Sequence, residues 1–512
     1  MTKVSSPPPS ARPDGLLYVE VRLAHRDHGV PKAMQIKEEV EKYLRRHYTE
    51  IRIGTVALDT PLSSVIAEVQ ITGQSRSRLF PDDQFYLVAA NEMEILVYAL
   101  ASERDPALHD WDSEEEDDTE SRYFTISSLP HERLGRLWSS LVYEEPVGEI
   151  ILRALVRSIK EQHALAQRFM ASCNNTILFH GPPGSGKTSL AQALAQRLSI
   201  RLSELYPRTE LLEVASDALL SKFFGESSKS VGKLFKTIVE MAVTDKSRFL
   251  VVLFDEVESI AGCREQALKS NEVADAHRAA VQMLRGLDAI RNCANVMFIC
   301  TTNFIGNIDS AFLDRIFLRE YVDIPGVNSI FEILRDELNA LLRTGRMTFT
   351  RMVYDEADGH APAESMTMTN SLKSSDCSQE NRGATYCLLT MPPNIPDAAW
   401  AATHWVGYKH TVTSRLRVMA QRAKGISGRR LRDLVEQARL KYTIDTPCDL
   451  TELLDAINLV IEQETSDPER PLVVTANTGA EEDFMEYDSG SIAALLARMD
   501  GDQAVDTAAG PG

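Results

Sequence analysis

The sequence predicts an α/β protein built on a parallel sheet with helices on its faces, a small α/β domain before it and a small helical lid after it. Three apolar runs, at residues 176–180, 249–254 and 296–300, each lead directly into glycine-rich or polar residues. Buried parallel strands have this pattern where they reach the edge of a sheet. After the first run, Leu190 and Leu194 lie four residues apart, which indicates a helix. A chain of 512 residues has room for about three domains.

The first hundred residues mix strand and helix patterns. Apolar and polar residues alternate over Leu17–Leu23 and again over Val65–Ile71, which predicts two strands. Between them, Ile36, Val40 and Leu44 lie on one face of a predicted helix. We therefore expect a small α/β domain, in which no cluster of residues indicates chemistry.

Two polar stretches divide the rest of the chain. Residues 110–120 are dominated by acidic side chains, whose mutual repulsion favours a solvated linker; a docking site for a basic partner is the alternative. Residues from about 355 to 386 are rich in Ser and Thr and show no periodicity, which predicts a disordered insertion between the helices of the lid. The predicted segments are a disordered lead (1–14), the N-terminal α/β domain (15–101), the acidic linker (102–128), the large α/β domain (129–326), the helical lid (327–464, with the insertion at about 355–386) and an acidic, mostly disordered tail (465–512).

Composition excludes several classes of protein. The formal charge is −19, from 55 basic and 74 acidic residues, which argues against broad nucleic-acid binding. The longest unbroken apolar run, Ile95–Ala101, is much shorter than the roughly 20 residues of a membrane helix, so we expect no membrane span. Seven scattered cysteines without a Cys-x-x-Cys pair exclude a disulfide framework or a zinc ribbon.

A phosphate-binding loop follows the first apolar run. Residues 181–188 read Gly-Pro-Pro-Gly-Ser-Gly-Lys-Thr and match G-x-x-x-x-G-K-[ST] without a mismatch. Glycines allow the backbone N–H groups to point at phosphate oxygens, and the next helix adds its positive N-terminal dipole. Lys187 is expected to reach the β- and γ-phosphates of ATP, and the Thr188 hydroxyl to bind Mg²⁺. The predicted nucleotide-binding residues are Gly181, Pro182, Pro183, Gly184, Ser185, Gly186, Lys187, Thr188 and Ser189.

The second apolar run ends in two carboxylates, Asp255 and Glu256. They are expected at the carboxyl edge of the sheet, where ligands bind. We predict that Asp255 completes the Mg²⁺ site with Thr188, and that Glu256 orients and polarises the attacking water.

Further candidates follow along the chain. Asn303 comes after the third apolar run, where an uncharged amide can hydrogen-bond the γ-phosphate or the water. Arg315 is the predicted arginine that reaches a neighbouring subunit's γ-phosphate, with Arg319 as the alternative. Arg429 opens a predicted helix, where the dipole disfavours a cation, so we expect it rather than Arg430 or Arg432 to point at phosphate.

This ordered set resembles the AAA+ ATPases, in which the five elements are called Walker A, Walker B, sensor 1, arginine finger and sensor 2. Within them the chain is most similar to the pachytene checkpoint protein 2 family, called thyroid receptor-interacting protein 13 in animals. The similarity covers about residues 130–345 and 405–462. The closest matching stretches are Leu137–Tyr143, His180–Leu190, Leu253–Ser259 and Gly425–Arg429.

The resemblance implies a homo-hexameric ring that uses ATP to unfold locally the N-terminal part of HORMA-domain proteins. Those proteins act in the spindle checkpoint and on meiotic chromosome axes, which implies a location in the nucleus and the cytoplasm. In this family the client usually comes with a HORMA-like adaptor that the N-terminal domain grips.

A segment between the P-loop helix and Walker B has the character of a pore loop. Phe223 and Phe224 lie beside a glycine and are flanked by polar residues. A translocating ring needs a large side chain on a mobile loop to grip an extended peptide. We predict Phe223 as that residue with Lys222 beside it, and Phe224 as the anchor of the loop.

Two alternatives remain open at this stage. The first is an AAA+ motor that acts on a different protein client. The second is a scaffold that binds nucleotide to assemble but hydrolyses it only weakly. Such a scaffold would be expected to lack Glu256, Asn303 or an arginine finger, and all are present.

Overall fold

The structure contains an N-terminal sheet with one helix, a central six-stranded sheet with helices on both faces, and a C-terminal group of helices. Among the residues described, no helix is long and apolar enough to cross a bilayer. The computed structural model describes residues 16–24, 33–58, 64–74, 86–102, 124–166, 175–219, 227–262, 273–348, 353–355, 386–388, 394–396, 411–444 and 446–466.

The secondary structure elements alternate between strands and helices over most of the chain. The strands are β1 (Leu16–Leu23), β2 (Glu50–Ile51), β3 (Gly54–Val56), β4 (Ile66–Gln74), β5 (Tyr86–Leu87), β6 (Glu92–Tyr98), β7 (Phe124–Leu129), β8 (Thr176–His180), β9 (Arg208–Val214), β10 (Arg248–Phe254), β11 (Val296–Thr302), β12 (Leu318–Tyr321), β13 (Met347–Thr348), β14 (Val353–Asp355), β15 (Tyr386–Leu388) and β16 (Cys448–Asp449). The helices are α1 (Ala33–His47), α2 (Val147–Ala166), α3 (Lys187–Arg201), α4 (Ser216–Leu219), α5 (Ser227–Thr244), α6 (Glu258–Ala261), α7 (Val273–Ile290), α8 (Ser310–Leu313), α9 (Val327–Arg343), α10 (Val412–Arg422), α11 (Gly428–Tyr442) and α12 (Leu450–Ser466).

The central sheet has the strand order β12-β8-β11-β10-β9-β7. All neighbours are parallel except β7, which pairs antiparallel with β9. In the register of β8, β11 and β10, Phe254 lies opposite Cys300, and Cys300 lies opposite Leu178. The carboxyl ends of β8, β11 and β10 are therefore side by side, which brings the segments that follow them to one edge.

Strands β8, β10 and β11 are buried on both faces, as their continuous apolar sequences predict. In β10, Phe249 and Val251 belong to the core shared with α2 and α3, whereas Leu250 and Val252 belong to the core shared with α5 and α7. The predicted α/β fold class is confirmed by this sheet and its two helical layers.

The C-terminal helices α9 to α12 have a core of their own. Leu334 of α9, Leu416 of α10, Leu434 of α11 and Ile457 of α12 are fully buried in it. A short parallel pair, β13 with β16, joins the ends of this group. We call these four helices the lid.

The N-terminal sheet has the order β3-β4-β1-β6. On one face, Val19 and Val21 of β1 pack with Ile36, Val40 and Leu44 of α1. The alternation of the strand places Glu20 on the opposite face.

Glu20 joins this sheet to the central domain through a buried ionic network. Its side chain is fully buried and forms ion pairs with Arg197 and Arg201 of α3. The Arg201 guanidinium also lies 3.8 Å from the centroid of the Tyr18 ring and donates to Thr72 Oγ1 at 2.8 Å. These contacts set the orientation of the N-terminal sheet on the C-terminal end of α3.

The predicted end of the acidic linker at residue 128 is wrong. Residues from Phe124 onward form β7, because Phe124 and Ile126 pack against the central core and the backbone pairs with β9. The residues that bound the predicted insertion, Asp355 and Tyr386, pair in the two-stranded β14-β15 ladder. Residues 356–385, the lead, the acidic run and most of the tail lie outside the described residues.

We predict that Glu20→Ala lowers the free energy of unfolding by about 3–5 kcal/mol, because it leaves two buried guanidinium groups without their carboxylate. Urea unfolding followed by circular dichroism measures the change. Glu68→Ala is the matched control on the same sheet, since its ion pair with Arg22 (3.0 Å) is about one-third exposed and is expected to contribute less than about 1 kcal/mol. Equal losses in the two variants would contradict the role given to Glu20.

Candidate nucleotide site

A cavity of about 280 Å³ lies where the P-loop, the ends of β10 and β11, and the lid meet. A segment that precedes α2, residues 137–144, forms part of its wall, and we call this segment the strap. The cavity is lined by Leu141, Val142, Tyr143, the residues from Pro183 to Ser189, Asp255, Glu256, Thr301, Asn303, Asp323, Pro325, Ile333, Gly428, Arg429, Arg432 and Asp433.

Three glycines give the P-loop its shape. Gly181, Gly184 and Gly186 have φ values of 148°, 75° and 94°, which side chains of L-residues rarely tolerate. At Gly181, a Cβ atom would also lie 2.2 Å from the Val322 carbonyl oxygen. Gly186 is the N-cap of α3 and supplies no side-chain cap, so the first N–H groups of this helix are available to an anion.

The P-loop also holds polar side chains that a phosphate would satisfy. Lys187 is buried, and its Nζ donates to the carbonyl oxygens of Gly181 (2.9 Å) and Pro182 (2.8 Å). Burial lowers the pKa of Lys187, while the carboxylates of Glu258 and Asp255 oppose this shift. The Ser185 hydroxyl is buried and has no hydrogen-bond partner among the described residues.

The side chains of Thr188 and Asp255, the predicted magnesium ligands, are in direct contact. The Thr188 hydroxyl donates to Asp255 Oδ1 at 2.8 Å, and the Thr301 hydroxyl donates to the same oxygen. A hydroxyl and one carboxylate beside a phosphate cradle fit Mg²⁺, which usually keeps several waters and takes few protein ligands. No group of three or more acidic, histidine or cysteine side chains forms another metal cluster within the described part of the chain.

Glu256 has an unusual backbone conformation at this edge. Its φ of 54° is in the left-handed region, which costs about 1–3 kcal/mol for a residue other than glycine. The Glu256 N–H donates to Thr301 Oγ1 at 3.1 Å, and the Val257 N–H donates to the Thr301 carbonyl at 2.9 Å. Thr301 thereby fixes the backbone at Glu256 and Val257, and the exposed Glu256 side chain lines the cavity.

Asn303, at the end of β11, and Arg429, in the lid, line the same cavity. The Asn303 N–H donates to Glu258 Oε1 at 3.0 Å, which ties the end of β11 to α6. Arg429 is exposed and makes no ion pair or hydrogen bond with the other described residues. Its neighbour Arg430 pairs with Glu464 instead.

Among the predicted residues that the structure describes, Gly181, Pro182, Arg315 and Arg319 do not line this cavity. Arg315 forms two hydrogen bonds to Asp288, at 2.9 and 3.0 Å, which raise the pKa of its guanidinium. Arg319 is exposed and donates to the Leu313 carbonyl at 2.5 Å. Phe223 and Lys222 lie outside the described residues.

Several residues of the site were not predicted from sequence. Thr301 lies in β11, the strand that precedes Asn303, but nothing in its pattern shows that its hydroxyl bonds to Asp255 and Glu256 just after β10. The Tyr143 hydroxyl is buried without a partner among the described residues, and burial raises its pKa. Leu137–Tyr143 stood out as a family signature, although its sequence has no nucleotide-binding motif. Arg432, which the sequence reasoning set aside in favour of Arg429, lines the same cavity one helical turn away.

We predict that Arg429→Ala lowers the rate of ATP hydrolysis by roughly a hundredfold, because it removes a cation that stabilises the charge developing in the transition state. Arg430→Ala removes the same charge one position along the helix, but its partner Glu464 lies outside the cavity. This variant is expected to hydrolyse ATP at close to the wild-type rate. Steady-state phosphate release compares the two, and similar rates would contradict the assignment of Arg429.

Comparisons with known proteins identify the family of the chain. The model of the AAA family, the ATPase family associated with various cellular activities, matches residues 177–324. A pachytene checkpoint protein 2 homolog of Oryza sativa subsp. indica is 30% identical over 473 residues, which cover 90% of this chain and 91% of the relative. A homolog of the same name from Gallus gallus is 28% identical over 461 residues, or 88% of this chain and 93% of the relative.

A solved structure shows the same fold over a similar extent. The structure of C. elegans PCH-2 matches with a TM-score of 0.61 at 22% identity, and the match covers 88% of this chain and 100% of that one. The P-loop, the carboxylates at the end of β10 and a relationship that extends over nine-tenths of the chain lead to one assignment. The chain belongs to the pachytene checkpoint protein 2 family of AAA ATPases.

Proposed function

We propose that this ATPase uses ATP hydrolysis to unfold locally the N-terminal part of HORMA-domain proteins, as a homo-hexamer. The observation that carries the proposal is the extent of the family relationship, which covers 90% of the chain rather than the ATPase module alone. The resemblance to this family implies HORMA-domain clients of the spindle checkpoint and meiotic chromosome axes. Nuclear and cytoplasmic location is part of the same proposal.

The position of the N-terminal domain suits a motor that grips one part of a client while pulling another. Glu20 connects this domain to Arg197 and Arg201 at the far end of α3, the helix that begins with Lys187. A load on the N-terminal domain is therefore carried directly to the helix that holds the phosphates. We assign the grip on a client with its HORMA-like adaptor to this domain, and the pull on the peptide to Phe223 and Lys222.

The site has the groups that phosphoryl transfer to water needs. Thr188 and Asp255, which are in contact, would hold Mg²⁺, and the bound ion would neutralise charge on the β- and γ-phosphates. Glu256 accepts the proton of the attacking water as the water oxygen bonds to the γ-phosphorus and the bond to the ADP oxygen breaks. Lys187 stabilises the charge of the phosphates, and Asn303 hydrogen-bonds the water or the γ-phosphate without competing for the proton.

A neighbouring subunit completes the site in this proposal. Arg315 is held by Asp288 and by the Ala311 carbonyl (2.8 Å), and it does not line the cavity of its own chain. A guanidinium fixed in this way, just before β12 at the edge of the sheet, is suited to act in trans on the next subunit's γ-phosphate.

We predict that Glu256→Gln retains ATP binding but abolishes steady-state hydrolysis, because the amide cannot accept the proton. The assay measures phosphate release by the wild type and the variant, alone and with a HORMA-domain protein and its adaptor. Stimulation of the wild type, absent in the variant, is the expected result. Hydrolysis without stimulation would favour another client, and no hydrolysis in any condition would favour a nucleotide-dependent scaffold.

The trans arginine gives a second prediction. Arg315→Ala and Glu256→Gln are each expected to be inactive as pure proteins, but mixing them should restore part of the activity. In a mixed ring, the intact pocket of an Arg315→Ala subunit can lie next to the intact arginine of a Glu256→Gln subunit. Mixtures made with Arg319→Ala in place of Arg315→Ala test the alternative arginine. Failure of both mixtures to recover hydrolysis would contradict catalysis in trans.

A further inference from the structure

The strap contacts both halves of the nucleotide site with alternate residues. Leu141 and Tyr143 pack in the core of the central domain, whereas Val142 between them packs against the core of the lid. On the central side, Tyr143 and Leu141 lie against Gly186, where a Cβ atom would be 3.3 Å from the Tyr143 hydroxyl. The strap is therefore wedged between the P-loop and the lid, and it forms the cavity wall between them.

Glu144, at the end of the strap, caps the first helix of the lid. Its Oε1 accepts the backbone N–H groups of Asn328 (3.1 Å) and Ser329 (3.3 Å), and its Oε2 accepts the Asn328 side-chain amide (3.3 Å). These are the N2 and N3 positions of α9, which the side chain of the N-cap residue normally serves. The N-cap residue, Gly326, has no side chain to do so.

The fit at this cap is close. A Cβ atom at Gly326 would lie 2.3 Å from Glu144 Oε1, so the glycine is what allows the carboxylate to reach the helix end. The negative charge also lies at the positive end of the α9 dipole, which strengthens the contact. Glu144 of the strap thus supplies the side-chain cap that Gly326 cannot provide and the negative charge that the first turn of α9 lacks.

A second bond joins the strap to the lid helix that carries Arg429. The Arg432 guanidinium donates to the Ser140 carbonyl at 2.6 Å and lies 3.4 Å from Glu337 of α9. Since α9 and α11 share one core, the pose of α9 sets the pose of α11. The start of α11 in turn reaches the P-loop, because a Cβ at Gly184 would lie 2.7 Å from Ser427 Oγ.

We propose that Glu144 is a positioning residue for the nucleotide, which holds the lid in the pose that binds ATP by tying α9 to the strap. Glu144 does not line the cavity and acts through the lid, whereas Arg429 acts on the phosphates. The inference rests on the assignment of this cavity as the ATP site, but it does not depend on the client. Glu144 therefore affects how often the lid is in the binding pose, not the chemistry of the bound complex.

This distinction has a kinetic signature. If Glu144→Ala leaves about one-tenth of the lids in the binding pose, the apparent affinity for nucleotide falls about tenfold, and saturating ATP restores the pose. We expect the KM for ATP and the Kd for a fluorescent ADP analogue to rise about tenfold. The value of kcat should change by less than about twofold. Glu145→Ala is the matched control, because Glu145 is an exposed carboxylate at the next position.

A double variant separates positioning from simple helix capping. In Glu144→Ala/Gly326→Ser, the serine has room for its side chain, and the backbone at 326 (φ −75°, ψ −179°) suits a serine N-cap. It can cap the N–H groups that Glu144 served, so the thermal stability lost in Glu144→Ala should return. The tie between strap and lid does not return, so KM and Kd should stay raised.

Two results would overturn the inference. One is a KM for Glu144→Ala equal to that of Glu145→Ala; the other is recovery of KM together with thermal stability in the double variant. The assay uses basal hydrolysis by the full chain without a client, so a failure of HORMA stimulation would overturn the proposed client alone. A wild-type chain that binds no ADP analogue would overturn the site and this inference together.

Discussion

The nucleotide site depends on the hydrogen bonds that the Asp255 carboxylate accepts. Its Oδ1 accepts a hydrogen bond from Thr188 at the start of α3 and another from Thr301 at the end of β11. Parallel strands bring these segments to one edge of the sheet, and Asp255 connects them there. The Thr301 hydroxyl that donates to Asp255 also accepts the N–H of Glu256, which keeps Glu256 in its left-handed conformation. The proposed magnesium ligand and the proposed base are therefore positioned by one small network.

Helix α3 connects the nucleotide site to the N-terminal domain. It begins with Lys187 and Thr188 and ends with Arg201, which is buried against Glu20 and Tyr18 of the N-terminal sheet. A guanidinium near the C-terminus of a helix also suits the dipole. The same helix contacts the strap, since the Arg197 guanidinium lies 5.3 Å from the centroid of the Trp138 ring. The N-terminal domain, the P-loop and the strap thus all contact one helix.

The elements with strong periodicity could be predicted from the sequence. The apolar runs became β8, β10 and β11 with boundaries that differ by at most two residues, because strands buried on both faces need continuous apolar sequence. The P-loop residues from Pro183 to Ser189, together with Asp255, Glu256, Asn303 and Arg429, line one cavity. Strand β7 was missed because its sequence is half polar, and its pairing with β9 decides its conformation. The roles of Arg315, Phe223 and Lys222 remain predictions.

The sequence by itself determined the fold class, the phosphate loop and the carboxylates, because each is encoded by neighbouring residues. Local spacing is sufficient for a glycine loop or an amphipathic helix. Only the tertiary structure decided which distant groups support them. Thr301 holds Glu256, and Glu144 caps a helix that begins more than 180 residues later in the chain. Burial decided the partners of Glu20 and Arg201 in the same way, since a charge is stable inside the protein only where the fold brings an opposite charge to it.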